Sequence, residues 1–370
     1  MRRTLTILAG LALTVPLVSA GPALAGQVQQ PTPSGADVVA SRLLSPLSLD
    51  VTQKGTAWYS QNFLGQLVRH RADRPAKVVY QSRKGAEVGA VSVLGRDTTF
   101  ALTTQTGRTA LMSYSRAGGV EKLAGLSRFE ARRNPDAGQT YGLMGLSPRC
   151  ARQVPPFLRE YTGIVESHPY ASLTLRGVRY VADAAANAVL SVGDDGRVRT
   201  VAVLPAQPPV VVTEAAAQAN DLPGCVVGKD FVAEPVPTDV ERGLDGMLYV
   251  TTLPGGPEDP SLGARGGVYR VDPETGQVES VVTGLMSPTG LAVAPSGSMY
   301  VAELFGGRIA YVAPGASEPT ATWANAALPG DVELENGSLW ATRKVMTGLD
   351  GSKPAGQVVR YSGGVAVPVR

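Results

Sequence analysis

Four acidic residues stand at positions from which they can reach one end of the fold: Asp183, Asp239, Glu303 and Asp331. Asp183 and Glu303 each follow a conspicuous aromatic by three residues. Asp239 and Asp331 each follow a proline by two. Carboxylates gathered in this way, with nearby carbonyl oxygens, are ligands for a hard divalent cation such as calcium. Such an ion can polarise an ester or lactone carbonyl. His168 offers a second chemistry, as an acid or base beside Glu303. A plainer role is equally open: polar residues at strand ends satisfy loop backbone groups, and Glu303 can pair with Arg343. No residue is assigned a catalytic role from the sequence. The expected cofactor is none, or a divalent cation on these four carboxylates.

Other chemistry is absent from the sequence. The only histidines are His70 and His168, and the only cysteines Cys150 and Cys225. That excludes poly-histidine metal sites and zinc knuckles. There is no G-x-S-x-G nucleophile elbow and no phosphate-binding G-x-x-x-x-G-K-[ST] loop. Asp272 to Gly276 lacks calcium-loop spacing and reads as a turn. Asn336-Gly337-Ser338 matches a glycosylation sequon but falls in a tight repeat turn. Arg132, Arg133, Arg149 and Arg152 make one stretch locally basic, as a solvated loop or as a contact for an anionic glycan or lipid head group.

The elements that position these residues are repeats. Trp58, Phe100, Tyr180, Tyr249, Tyr300 and Trp340 head six copies of one template. Three residues before them stand Gly55, Asp97, Gly177, Gly246, Gly297 and Gly337, the residue type a hairpin turn with φ > 0 favours. Further upstream stand Pro46, Val88, Pro169, Pro237, Pro288 and Pro329, and proline suits the first residue of a strand. Each copy contains two strands around the turn, then a third, and in five cases a fourth. Four strands in about 40 residues, repeated, predict an all-β, six-bladed β-propeller. The sixth copy lacks a clear fourth strand. The run from Asp37 to Leu43 resembles one and is expected to close the last blade. Val365 to Val369 competes for that place or adds a fifth strand.

Two intervals between repeats are long. They predict insertions at about residues 127–166 and 206–235, both before a first strand and so on one face. Cys150 lies in the first and Cys225 in the second. In an oxidising compartment the two can pair, closing a loop of about 75 residues.

The N-terminus reads as a Sec-type signal peptide over residues 1–25. Arg2 and Arg3 precede the apolar run from Leu5 to Val18, and Ala23-Leu24-Ala25 offers cleavage after Ala25. Residues 26–36 form a short linker, and 37–370 the propeller. The formal net charge is +3. Cleavage removes two arginines and no acid, leaving +1. A near-neutral surface without a basic block excludes nucleic acid as the partner. No further apolar run is long enough to span a bilayer. The expectation is a secreted, monomeric protein whose partner is a protein, glycan or small molecule.

The stretches SHPYASLTLRGVRYVADAAANAVLSVGDDGRVRTVAVLP, VPTDVERGLDGMLYVTTLPGG, GGVYRVDPETGQVESVVTGL and SPTGLAVAPSGSMYVAEL resemble the ScyD/ScyE family of secreted bacterial propellers. The resemblance runs from about residue 167 to 315. It implies export and a six-bladed propeller, and brings no catalytic residues with it. More distantly the repeat is similar to NHL-type, gluconolactonase-like and streptogramin-lyase propellers. Pro288-Thr289-Gly290-Leu291 and Gly297-Ser298-Met299-Tyr300 match the lyase scaffold. Two functions are therefore weighed: a non-enzymatic extracellular binding or scaffold protein, and a metal-dependent lactonase-like hydrolase or lyase acting at the axial mouth.

Overall fold

Each of the six repeats folds as a four-stranded antiparallel sheet. The computed structural model describes residues 33, 35–256, 261, 263–363 and 365. The expected signal peptide, its cleavage site and most of the linker lie outside the described residues. Blade I comprises Leu49–Val51, Ala57–Gln61, Gln66–His70 and Lys77–Gln81. Blade II comprises Glu87–Leu94, Asp97–Thr103, Thr109–Ser115 and Gly119–Ala124. Blade III comprises Pro169–Leu175, Val178–Asp183, Ala188–Gly193 and Val198–Val203. Blade IV comprises Pro237–Arg242, Leu248–Thr252, Gly266–Val271 and Val278–Leu285. Blade V comprises Pro288–Val293, Met299–Glu303, Arg308–Val312 and Ala321–Asn325.

Blade VI takes Val332–Glu335, Ser338–Arg343 and Gly356–Ser362 from the end of the chain. Its outermost strand is Ala36–Leu43, which pairs antiparallel with Gly356–Ser362. The N-terminal strand thus closes the last blade, which covers an edge that would otherwise be open. Of the tail expected to compete with it, only Val365 is described. It is buried in the same apolar cluster as Trp323 and Tyr361.

The first strands of blades I to VI neighbour one another in a closed cycle, I against II through VI against I. The apolar core follows the same cycle. One buried cluster lies at each blade–blade boundary, from Trp58, Leu67 and Phe100 between I and II to Leu49, Tyr59 and Trp340 between VI and I. Between V and VI, Trp323 meets Tyr300 and Tyr361 edge-on at 5.3 and 5.2 Å. Tilted aromatic pairs of this kind add to area burial.

The second strands end where the template places them, at Gln61, Thr103, Asp183, Thr252, Glu303 and Arg343. The first strands of blades III, IV and V open on the expected prolines. Those of blades I and VI begin three residues later, at Leu49 and Val332. The Asn336–Gly337 turn has φ of 50° and 70°, the paired positive values that a two-residue hairpin requires.

A seventh four-stranded sheet stands outside the cycle. Its order is Tyr161–Thr162, Thr140–Leu143, Asp230–Val232, Val210–Val211. The two insertions, read from sequence as connections, are its two halves. Cys150 and Cys225 are disulfide-bonded, with Cα atoms 5.9 Å apart. Cys150 sits in a separate apolar cluster with Leu143, Val154, Val226 and Phe231. Among the described residues no helix is long and apolar enough to cross a membrane.

Candidate functional site

The structure distributes the four sequence-selected carboxylates over two kinds of position. Asp183 and Glu303 end second strands on the insertion-bearing face. Asp239 lies on an inner strand, and Asp331 immediately precedes one. All four are occupied by the backbone. Asp183 Oδ1 accepts from the His168 N–H at 2.6 Å, and Oδ2 from the Ser167 hydroxyl at 2.6 Å. Glu303 Oε1 accepts from the Met286 N–H at 2.6 Å, and its Oε2 takes the Arg308 guanidinium. Asp239 Oδ1 accepts from Val240, and Oδ2 from Leu291 across the blade boundary at 2.6 Å. Asp331 Oδ1 accepts from Val332, and Oδ2 from Leu49 at 2.6 Å.

Each of these four carboxylates is engaged by donors of its own surroundings. The carboxylate oxygens already accept hydrogen bonds, and among the described residues no three histidine, cysteine, aspartate or glutamate side chains are placed to share a metal. Glu303 pairs with Arg308 of its own blade rather than Arg343, whose Nε donates to Gln357. His168 faces Glu87, not Glu303, with Nε2 3.2 Å from Glu87 Oε2. Glu87 opens blade II and His168 precedes blade III, so the pair bridges two blades at the mouth. Burial works against the imidazolium. The Glu87 hydrogen bond and the charges of Glu87, Asp183 and Glu166 outweigh it, and the His168 pKa is raised.

The inner strands carry a denser acidic set than the sequence reading identified. Asp50 in blade I, Asp239 and Glu241 in blade IV, and Glu333 and Glu335 in blade VI, with Asp331, act on one another through the passage that the inner strands enclose. Burial pushes Asp50 and Asp239 up to about 7. Burial, then the neighbouring carboxylates, raises Glu241, Glu333 and Asp331 well above the usual range. Asp50, Glu241, Glu333 and Glu335 remain partly open to solvent. The missed signal was a period of two. Asp239-Val240-Glu241 and Asp331-Val332-Glu333 alternate acid and apolar residues, which puts both acids on one face of a strand.

The aspartates of this set also stitch the ring. Asp50 Oδ2 accepts from the Val93 N–H of blade II at 2.5 Å, beside Ser48 Oγ, which accepts from Val91 at 2.7 Å. Between II and III, Ser92 bonds Ser172 and Thr174 at 2.8 and 2.7 Å. Blade V has no such acceptor at the equivalent position. It has Gly290, where a Cβ would stand 2.6 Å from Asp331 Cα, so the two inner strands meet directly.

No family model matches the chain, and no curated protein matches its sequence. Solved structures share its fold. The PQQ-bound aldose sugar dehydrogenase of Streptomyces coelicolor is 10% identical with a TM-score of 0.54, over 90% of this chain and 99% of that one. A luciferin-regenerating enzyme is 11% identical with a TM-score of 0.53, over 89% and 95%. The calcium-binding protein regucalcin of Agrobacterium tumefaciens is 12% identical with a TM-score of 0.50, over 89% and 94%. At these identities the likeness establishes the β-propeller fold.

Proposed function

We propose that this chain is an exported binding propeller of the ScyD/ScyE type, without catalysis of its own, that takes a ligand through a positively charged group in its axial passage. One observation carries the reading. Asp50, Asp239, Glu241, Glu333 and Glu335 lie on inner strands of three blades, with Asp331 immediately before one, and four of these six stay partly open to solvent. Acids whose ionisation is held back by burial and by one another ionise when a cation enters among them, so the passage favours a positively charged ligand. The carboxylates selected as ligands for a catalytic metal serve backbone amides instead, which supports binding over hydrolysis. The Cys150–Cys225 disulfide supports export, since such bonds persist in oxidising compartments.

The test is titration calorimetry with an aliphatic diamine and with spermidine as probes. Binding that weakens with salt and is lost in a Glu241→Gln/Glu333→Gln double variant is the expected result. Wild-type protein that gives no heat with either probe refutes the cationic-ligand reading. A second reading, a lyase- or lactonase-like enzyme, draws on the half-exposed His168–Glu87 pair. Turnover of a lactone or a streptogramin that disappears in His168→Ala would establish it over the first.

A further inference from the structure

The strongest unexplained feature lies away from the passage, between blades II and III. The helix Leu126–Arg133 packs Leu126 and Glu130 inward. Glu130 is 1% exposed, and neither of its carboxylate oxygens has a hydrogen-bond partner. Asp136, also 1% exposed, uses Oδ2 for the Tyr141 hydroxyl at 3.1 Å and the Asn187 amide at 2.8 Å. Its Oδ1 has no partner. Asn134, the left-handed residue that ends the helix, donates through Nδ2 to the Gly163 carbonyl at 3.0 Å, and its own Oδ1 is buried without a donor.

These groups share one seam. The Asn134 N–H donates to the Glu130 carbonyl at 2.8 Å, so one helical turn separates the two residues. Asp136 Oδ1 lies against Gly163, where a Cβ would come within 2.2 Å of it, so only glycine leaves that oxygen its place. Burial first, then the nearby carboxyls of Asp183 and Asp136, pushes the Glu130 carboxyl up to about 8. Four buried oxygens from residues 130, 134 and 136 therefore lack donors. A buried unpaired carboxylate is costly unless it takes up a proton or something positive meets it.

We infer that this seam is a structural cation site, in which Glu130, Asn134 and Asp136 hold a hard, oxygen-liganded ion of calcium's type. The set is two carboxylates and an amide, which calcium accepts, completing its shell with backbone carbonyls or water. Zinc prefers nitrogen and sulfur donors, and neither is present in the set. Asp183 is not a ligand, because Ser167 and His168 already occupy its oxygens. The ion ties the end of the helix to the stretch that leads into the seventh sheet. It is independent of the passage proposed above to bind a ligand.

Calcium and terbium are the probes, used on the full chain after chelator treatment. Calcium should raise Tm by several degrees in wild-type protein and in Glu241→Gln, and leave Glu130→Gln unchanged. Terbium should give luminescence sensitised by Tyr141, whose hydroxyl bonds Asp136, and calcium should quench it by displacement. Asn134→Gly, which keeps the left-handed cap and removes one ligand, should weaken calcium binding at least tenfold; it carries the test if Glu130→Gln does not fold. A Tm indifferent to calcium together with no sensitised emission overturns the site, and Glu130 is then a neutral acid. An equal calcium shift in wild-type, Glu130→Gln and Asn134→Gly places the ion elsewhere and overturns it too. Loss of the shift in Glu241→Gln alone would assign the ion to the passage.

Discussion

Asp331 Oδ2 accepts the backbone N–H of Leu49 at 2.6 Å, joining residues 282 positions apart. This bond ties the first strand of the last blade to that of the first. The Asp239–Leu291 bond is the same device between blades IV and V. In both, the acceptor stands two residues after the repeat's proline, and the donor is one residue past the equivalent position in the next blade. Ser48 repeats it with Val91. The inner ring is thus held by side chains as well as by the apolar clusters at each boundary.

Asp331→Ala should lower unfolding stability by about 1–3 kcal/mol, because the Leu49 amide is left buried without an acceptor. Asp331→Asn retains an acceptor oxygen and removes a charge from the crowded passage, so it should cost less. Denaturant midpoints at fixed slope measure both. Equal losses in the two variants would show that the carboxylate charge, not the acceptor, matters.

The passage makes stability depend on pH in the direction opposite to ordinary ion-paired carboxylates. Asp50 and Asp239 have folded pKa values of about 7, above their unfolded values near 4. Between those limits the native state binds more protons, so stability falls as pH rises through the window. Tm should rise by a few degrees from pH 8 to pH 5. Glu241→Gln/Glu333→Gln removes two further acids whose folded pKa is raised and should flatten that slope. A wild-type Tm that falls on acidification over this range contradicts the argument.

Reduction of Cys150–Cys225 should loosen the seventh sheet and spare the ring. The bond links the two insertions across the Leu143, Val226 and Phe231 cluster, outside the cycle of blades. Hydrogen exchange should speed up at Tyr141–Leu143 and Phe231–Val232, with inner-strand amides such as Leu291 unchanged. The expected cost is about 2–5 kcal/mol, confined to local opening. Exchange that accelerates uniformly would mean that the sheet and ring unfold together.

His168 is one of two histidines, so its titration can be followed by NMR without ambiguity once His70 is substituted. Its folded pKa is raised, with the Glu87 pair the largest favourable contribution. Glu87→Gln should bring it down toward or below the usual histidine value near 6.5. In wild type the pair adds stability below the unfolded histidine pKa, and that stability is lost as pH rises through the folded value. An unchanged midpoint in Glu87→Gln would show that the two side chains do not interact in solution.

Much of the ring could be read from particular residues. The six aromatics, their turns and the prolines before them placed every second-strand end, because a propeller blade is a local meander with contacts close in sequence. The closing strand was legible at Asp37 to Leu43, since it copies the fourth strand of another repeat. The seventh sheet was not. Its strands are two to four residues long, too short for alternation to show, and its two halves pair, Gly142 with Val232, across a stretch of chain that includes the whole of blade III.

The same division holds for chemistry. Asp239 and Asp331 could be singled out by position, since the repeat dictates which side chains the inner strands carry. Whether those oxygens are free or spent on a neighbour's amide depends on the distance between blades, which no local pattern encodes. Glu130 makes the point most sharply. In sequence it is an acid two residues before the stretch, from Arg132, that reads as a basic, solvated loop. In the fold it is a buried carboxylate facing Asp136 and Asp183, brought from elsewhere in the chain. By itself the sequence determined the repeating blade, its closure and the cysteine pair's plausibility, because these follow from periodicity and local turns. Only tertiary structure decided which acids share a space, because repulsion and desolvation arise from through-space proximity rather than from order along the chain.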